Sequence, residues 1–300
     1  MENNKYNPGN TDYSASSITL GAKEYWGKRL YGKACNTRAS SIWASFTGTL
    51  MHLGLEELLK NEPNALREIH IEHSWNEKTQ GEKLETDRIV GGTVDLLWKL
   101  ENGKHILFDY KTMSTASIIS DDKIKEWTFK ANFYRWVLEN AGYKIESLIY
   151  IPIFKDWTAT KAMRSRSVED IPCPSITLEK WDRAKIEQEI YDRIVEIEQY
   201  RGKDFKDIPY CNPEERWEKP PVFKVCKEEN GKVGNALPNC TFETMEEAES
   251  IRDERIASLK PKDTHTYIVK KAGGEPVKCN NWCSLSENGF CDYVKIKETE

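Results

Sequence analysis

Apolar residues in "VGGTVDLLWKL" (90–100) and "KHILFDYK" (104–111) fall in the short blocks of β-strands, and "ENGK" between them is a turn signal. The spacing then changes. After Ser120 and Asp121, which can cap a helix, Trp127, Ala131, Tyr134, Leu138 and Ala141 recur on one side until Gly142 stops it. "IESLIYIPIF" (145–154) is almost wholly apolar and suits the interior of a sheet. Earlier, "SSIWASFTGTLMHLGLEELLK" predicts a helix whose apolar face includes Ile42, Phe46, Leu50, Leu55 and Leu59. Residues 178–201 predict a long charged helix with Trp181, Ile190, Ile194 and Ile197 as its buried stripe. Prolines 209, 213, 220 and 221 mark a boundary, and residues 222–271 read as strand, turn, helix (243–258) and strand. The pattern is α/β, without internal repeats.

Length and charge narrow this. A chain of 300 residues buries a large core and suits one big domain with an insertion, or two modest ones. The net charge of -5 gives no overall basic excess, so any nucleic-acid contact must use local patches. The opening "MENNKYNPGNTDYSASS" has neither a cationic start nor an apolar stretch, and no run approaches the roughly eighteen apolar residues of a membrane span. The expected location is the cytosol, with no membrane partner, and the eight cysteines are expected to be free thiols or metal ligands.

Hydrolysis of nucleic acid calls for converging carboxylates, which suit hard ions such as magnesium or manganese, usually with a lysine. Asp109 and Lys111 share one strand face, and Asp95 lies on the preceding strand. Register decides whether they meet. A two-residue turn at Asn102 and Gly103 would set Asp95 opposite Tyr110 and split the acids between faces. A three-residue loop, 102–104, pairs Asp95 with Lys111 and Leu97 with Asp109; that loop, or a bulge of the same parity, is the prediction. His52 adds an imidazole, better suited to manganese than to magnesium, with Glu56 one turn further along the same helix.

The chain ends with Cys279-x3-Cys283-x7-Cys291, which one more ligand would complete as a tetrathiolate site. Cys35 and Cys211 are the candidates for that ligand, and the spacing does not choose between iron and zinc. Cys173, Cys226 and Cys240 read as small fillers or surface thiols.

His52 in "GTLMHLGLEE", Asp95 in "GGTVD", Asp109 and Lys111 in "DYK", and an amphipathic helix carrying Tyr134 follow in the order of known motifs. Over residues 40–155 the chain resembles the PD-(D/E)XK nucleases, RecB-like branch. "FKDW", "PYCNPEERW" and the cysteine-rich ending extend the resemblance over most of the chain, to phage-encoded exonuclease-like members related to CRISPR-associated RecB-like exonucleases.

The resemblance implies a restriction-endonuclease-like core, a mixed central sheet flanked by helices, over 1–212. It implies a small α+β insertion over 213–278 and a cysteine-rich metal-binding segment over 279–300. His52, Asp95, Asp109 and the Tyr110 carbonyl would hold Mg2+ or Mn2+, Lys111 would orient water or stabilise phosphate charge, and Tyr134 and Glu56 would support the site. A 4Fe-4S cluster is implied at Cys279, Cys283 and Cys291 with Cys211, or Cys35, as fourth ligand, and Zn2+ as the alternative metal.

The implied activity is that of a metal-dependent deoxyribonuclease, an exonuclease acting on DNA ends in replication, recombination or repair, in a bacterial or phage-infected cytoplasm. The alternative is a catalytically weak DNA-end-binding or assembly protein. Its partners would be DNA, single-stranded or at ends, and a replication or recombination protein. One departure is Lys130, where the branch usually has glutamine. "KAMRSRS" (161–167) would contact substrate, and Trp75, Trp127, Trp136 and Trp157 are either stacking residues or core.

Overall fold

The structure is a computed structural model that describes residues 11–36, 39–75, 88–117, 119–164, 169–218 and 220–297. Residues 165–167 of the basic segment lie outside these. The first elements are β1 (Tyr13–Ser14), α1 (Ala22–Tyr31), α2 (Ala39–Leu58), β2 (Ala65–Trp75), β3 (Arg88–Lys99) and β4 (His105–Met113). Next come α3 (Asp121–Asn140), β5 (Ile145–Phe154), α4 (Ala159–Arg164), β6 (Ile176–Leu178) and α5 (Arg183–Glu198). The remainder holds β7 (Val222–Glu229), β8 (Lys232–Phe242), α6 (Met245–Ala257), β9 (His265–Ala272), α7 (Val277–Asn281), α8 (Ser284–Glu287) and α9 (Tyr293–Lys297). Among the described residues no helix is long and apolar enough to cross a membrane.

Two compact units result, residues 1–20 with 37–202, and residues 21–36 with 203–300. These boundaries differ from the expected division into 1–212, 213–278 and 279–300. Residues 21–36 belong with the C-terminal unit because α1 packs there: Lys23 donates to the Phe205 and Ile208 carbonyls at 2.7 and 2.8 Å, and Tyr31 stacks on Phe290 at 4.6 Å. The cysteine-rich end joins the same unit.

The first unit is mixed α/β, a central mixed sheet flanked by helices. β1 is parallel to β3, β3 antiparallel to β2 and β4, β4 parallel to β5, and β5 antiparallel to β6. α3 starts at Ser120, whose side chain accepts the Lys123 N–H, as the sequence suggests, and its apolar side buries Trp127, Phe133, Trp136 and Leu138. Trp75, Trp127 and Trp136 are thereby core residues. Burial raises the Glu198 pKa, but hydrogen bonds from Arg201, Arg88 and Tyr13 outweigh it and hold the carboxyl at about 2, tying β1 and β3 to the end of α5.

Three expectations change. α5 begins at Asp182, which caps it, so Leu178 is in β6 and Trp181 precedes the helix; Ile186, Ile190, Ile194 and Ile197 make the buried stripe. α2 turns His52 and Leu55 toward Asp95 and Tyr110, which leaves Ile42, Phe46 and Leu50 exposed instead of packed. β2, with no counterpart in the sequence reading, pairs with β3 along ten rungs.

In the second unit, β8, β7 and β9 form an antiparallel sheet in that order. α6, capped by Thr244, covers a small core of Val225, Cys240 and Ala248. The helix and the two flanking strands read from the sequence are present, and β8, a second strand before the helix, is an element that reading did not contain.

Candidate functional site

The β3–β4 hairpin closes with Leu100 N–H on the Lys104 carbonyl at 2.8 Å and Gly103 N–H on the Leu100 carbonyl at 3.0 Å. Gly103, at φ +77, supplies the left-handed residue of a three-residue loop, 101–103. The predicted loop was 102–104. The shift by one on each side moves every pair, so Lys99 faces His105 and Leu96 faces Phe108. Continued one rung, this register sets Asp95 directly against Asp109, where Lys111 was expected. The parity the acids require is kept, and the partners differ.

The β3–β4 ladder ends at Leu96 and Phe108. On the same edge β3 is next taken up by β1, at Val90 and Gly91, because β2 occupies the opposite edge throughout. Residues 92–95 therefore lie in a fork between two ladders. Asp95 uses it: its Oδ2 accepts the Tyr110 N–H at 2.7 Å, replacing a lost strand partner with a side chain. Gly92, at φ +152, is needed here, since a Cβ would sit 3.2 Å from the Tyr134 ring. Tyr134 of α3 thus leans over the fork. The double glycine of "GGTVD" has a steric reason beside any motif.

Four sequence-predicted groups converge. His52 Nδ1 stands 3.6 Å from Asp95 Oδ1, and its ring meets Tyr110 edge-on at 6.4 Å between centroids. Asp109 accepts from the Tyr150 hydroxyl, its direct partner across the parallel β4–β5 pair, and Tyr150 in turn stacks on Trp127 at 4.2 Å. Lys111, exposed at the strand end on the Asp109 face, is the cation that most offsets the Asp109 charge. Lys130 also favours that charge while pairing with Glu126 at 2.5 Å. Glu56 lies beside Glu68 and Arg67 at the margin.

The electrostatics are those of crowded acids. Burial first, and the Asp109 charge second, push Asp95 up to about 7; burial likewise raises Asp109, against Lys111. His52 is raised, chiefly by Glu68 and then by the Asp95 charge, despite burial. The Asp109 charge thus disfavours ionisation of Asp95, a cost that a bound cation would relieve. The donor set, carboxylate oxygens with one imidazole, fits magnesium or manganese.

Two further groups escaped the sequence reading. Tyr150 sat inside an unbroken apolar strand, and only its register against Asp109 gives it a role. Glu68 lies on β2; its Oε1 is 3.5 Å from His52 Nδ1, and one atom each of His52, Glu68 and Asp95 lie within 4.8 Å of one another. Near the β4 end, Asp156 of "FKDW" accepts from Lys161, Ser114 and Thr115, which holds its carboxyl far below the usual range and fixes the loop after "DYK". Trp157 donates to the Glu169 carbonyl at 2.8 Å.

The second unit gathers Cys35, Cys211, Cys279, Cys283 and Cys291, all partly exposed free thiols. Burial pushes Cys211 up to about 12 and Cys279 up to about 11, the latter aided by the charges of Cys283 and Cys291. Two lysines lie among them. Lys23 feels the charges of Cys291 and Cys211, and Lys278 those of Cys211 and Cys283, while Lys278 also pairs with Glu24 at 2.6 Å. Cys211 and the closing cysteines thus share two lysine neighbours, although among the described residues no three of these thiols lie at metal-ligand separation from one another. Cys35 is next to Asn36, whose backbone N–H donates to Asn288 Oδ1 at 3.0 Å and whose carbonyl accepts from Asn288 Nδ2 at 3.1 Å. Cys226 and Cys240 are buried and Cys173 exposed, consistent with fillers and a surface thiol.

No family model matches the chain, and no curated protein does. Among solved structures it is similar to the one titled "Crystal structure of SSO0001", with 20% identity and a TM-score of 0.43, over 63% of this chain and 77% of that one. What this chain does is therefore read from its own residues.

Proposed function

We propose that this chain is a divalent-metal-dependent deoxyribonuclease, an exonuclease of the RecB-like PD-(D/E)XK kind, with a restriction-endonuclease-like core as its first unit. The observation that carries the reading is the fork, where Asp95 and Asp109 come next after the last β3–β4 pair, Leu96 with Phe108, and His52 stands 3.6 Å from Asp95. Asp95, Asp109, His52 and the Tyr110 carbonyl are the groups that would hold Mg2+ or Mn2+. A bound divalent ion supplies charge neutralisation at a phosphodiester and a lowered pKa for coordinated water.

The remaining chemistry belongs to side chains. Tyr150 fixes the orientation of the Asp109 carboxyl by donating to it. Lys111, free of the buried cluster, directs its ammonium to the phosphate and stabilises charge developing there. Tyr134 closes the fork from α3, and Lys130, in the usual place of glutamine, offers a cation to the DNA backbone. Cys279, Cys283, Cys291 and Cys211 hold an iron–sulfur cluster in our reading; the neighbouring Lys23 and Lys278 fit the anionic charge that thiolates bring. Zinc at the same thiols is the alternative.

Lys111→Ala should lower manganese-dependent DNA hydrolysis on the order of a hundredfold or more, while folding and Mn2+ binding persist, because the lysine touches phosphate rather than the ion. A release assay on linear DNA measures this. Equal activity in wild type and variant would sink the role given to Lys111.

A further inference from the structure

Arg67 faces Leu96 and Ile69 faces Val94, so Glu68 stands across from Asp95, yet that rung alone is missing within an otherwise even stretch of the β2–β3 ladder. The reason is local. Glu68 has φ 45, a left-handed conformation that side chains with a Cβ avoid and that glycine would adopt freely. No turn is made there; the chain continues as strand on both sides. The strained residue places its carboxylate 3.5 Å from His52 Nδ1, which is itself 3.6 Å from Asp95 Oδ1.

Those separations are long for hydrogen bonds. They suit donors that share a cation: with ligand distances of about 2.1 Å, neighbouring donors in an octahedral shell lie about 3 Å apart and opposite ones about 4.2 Å. We propose that Glu68 is a direct ligand, beside His52 and Asp95, of the divalent ion in this site. The assignment deepens the nuclease reading and rests on it only for the presence of that ion. It adds a third carboxylate to one imidazole, a set that suits manganese.

The test is a titration of the purified full chain with Mn2+, followed by the electron paramagnetic resonance of free ion. Glu68→Gln, which keeps volume and removes charge, is expected to weaken binding at least about tenfold, while Cys173→Ser, at an exposed thiol, binds as the wild type does. Glu68→Gly, suited to φ 45, keeps the test open if glutamine disturbs packing, and the same loss is expected. Unchanged Mn2+ affinity in the folded Glu68 variants overturns the assignment. A wild type that binds no Mn2+ overturns both this and the nuclease reading. Binding that depends on Glu68 in a protein that leaves DNA intact removes the nuclease reading and leaves the ligand standing.

Discussion

Asp95→Asn is expected to lose metal-dependent DNA cleavage on the order of a thousandfold and, in the same protein without metal, to raise the melting temperature. Both effects follow from one carboxyl. Asp95 is largely buried, its side chain 14% exposed, and burial with the Asp109 charge lifts its pKa from 3.8 to about 7. Between those values the folded chain binds more protons than the unfolded one, so stability falls as pH rises through that window. Above it the fold carries the full cost of the ionised group.

Asparagine never ionises, and its side-chain oxygen can still accept the Tyr110 N–H. The gain is expected to be on the order of 2 kcal/mol at pH 8, less than the isolated shift implies because Asp109 and His52 respond to the change. For a unit of this size that is about 4–8 °C. Melting curves from pH 4 to pH 8 should show wild type and variant together in acid and separating as pH rises. A variant less stable than wild type at pH 8 would mean that Asp95 is a structural acid.

Cys279→Ser is expected to lower the melting temperature of the second unit on the order of 10 °C and to abolish its bound metal. The thiols at Cys211 and Cys279 are held up to about 12 and about 11, chiefly by burial, so they are neutral without a metal. Metal loading must therefore release protons, and occupancy should fall as the solution is acidified. Around these thiols, Lys23 of α1 bonds to Phe205 and Ile208, and Lys278 bonds to Glu24 of α1. Calorimetry with metal analysis checks this, and visible absorbance separates an iron–sulfur cluster from colourless zinc. Serine at Cys173, which is exposed, should change neither.

Much of this was legible in the sequence where a local rule was strong. The Ser120 cap, the apolar β5 and the α6 helix of the second unit each follow from patterns within about twenty residues. The acids share a face because a three-residue loop has odd parity, but which three residues formed it depended on Gly103 taking the left-handed position. β2 carried a partial signal: Ile69, Ile71 and Trp75 alternate with His70, Glu72 and Ser74 in "ALREIHIEHSW", and only Arg67 and His73 interrupt the apolar face. Glu68 carried no signal at all, since a strained non-glycine residue inside a strand has no sequence mark. The place of α1 and the exposed stripe of α2 are set by contacts distant in sequence, which periodicity does not report.

The reading as an end-directed nuclease meets its most direct test in one assay, in which purified protein and Mn2+ act on equal amounts of linear and covalently closed circular DNA. The account predicts that linear DNA is degraded to nucleotides or short fragments, that circular DNA survives, and that Asp109→Asn protein leaves both intact. Linear DNA left intact by the folded, Mn2+-loaded wild type, or degraded equally well by the Asp109→Asn variant, would contradict it.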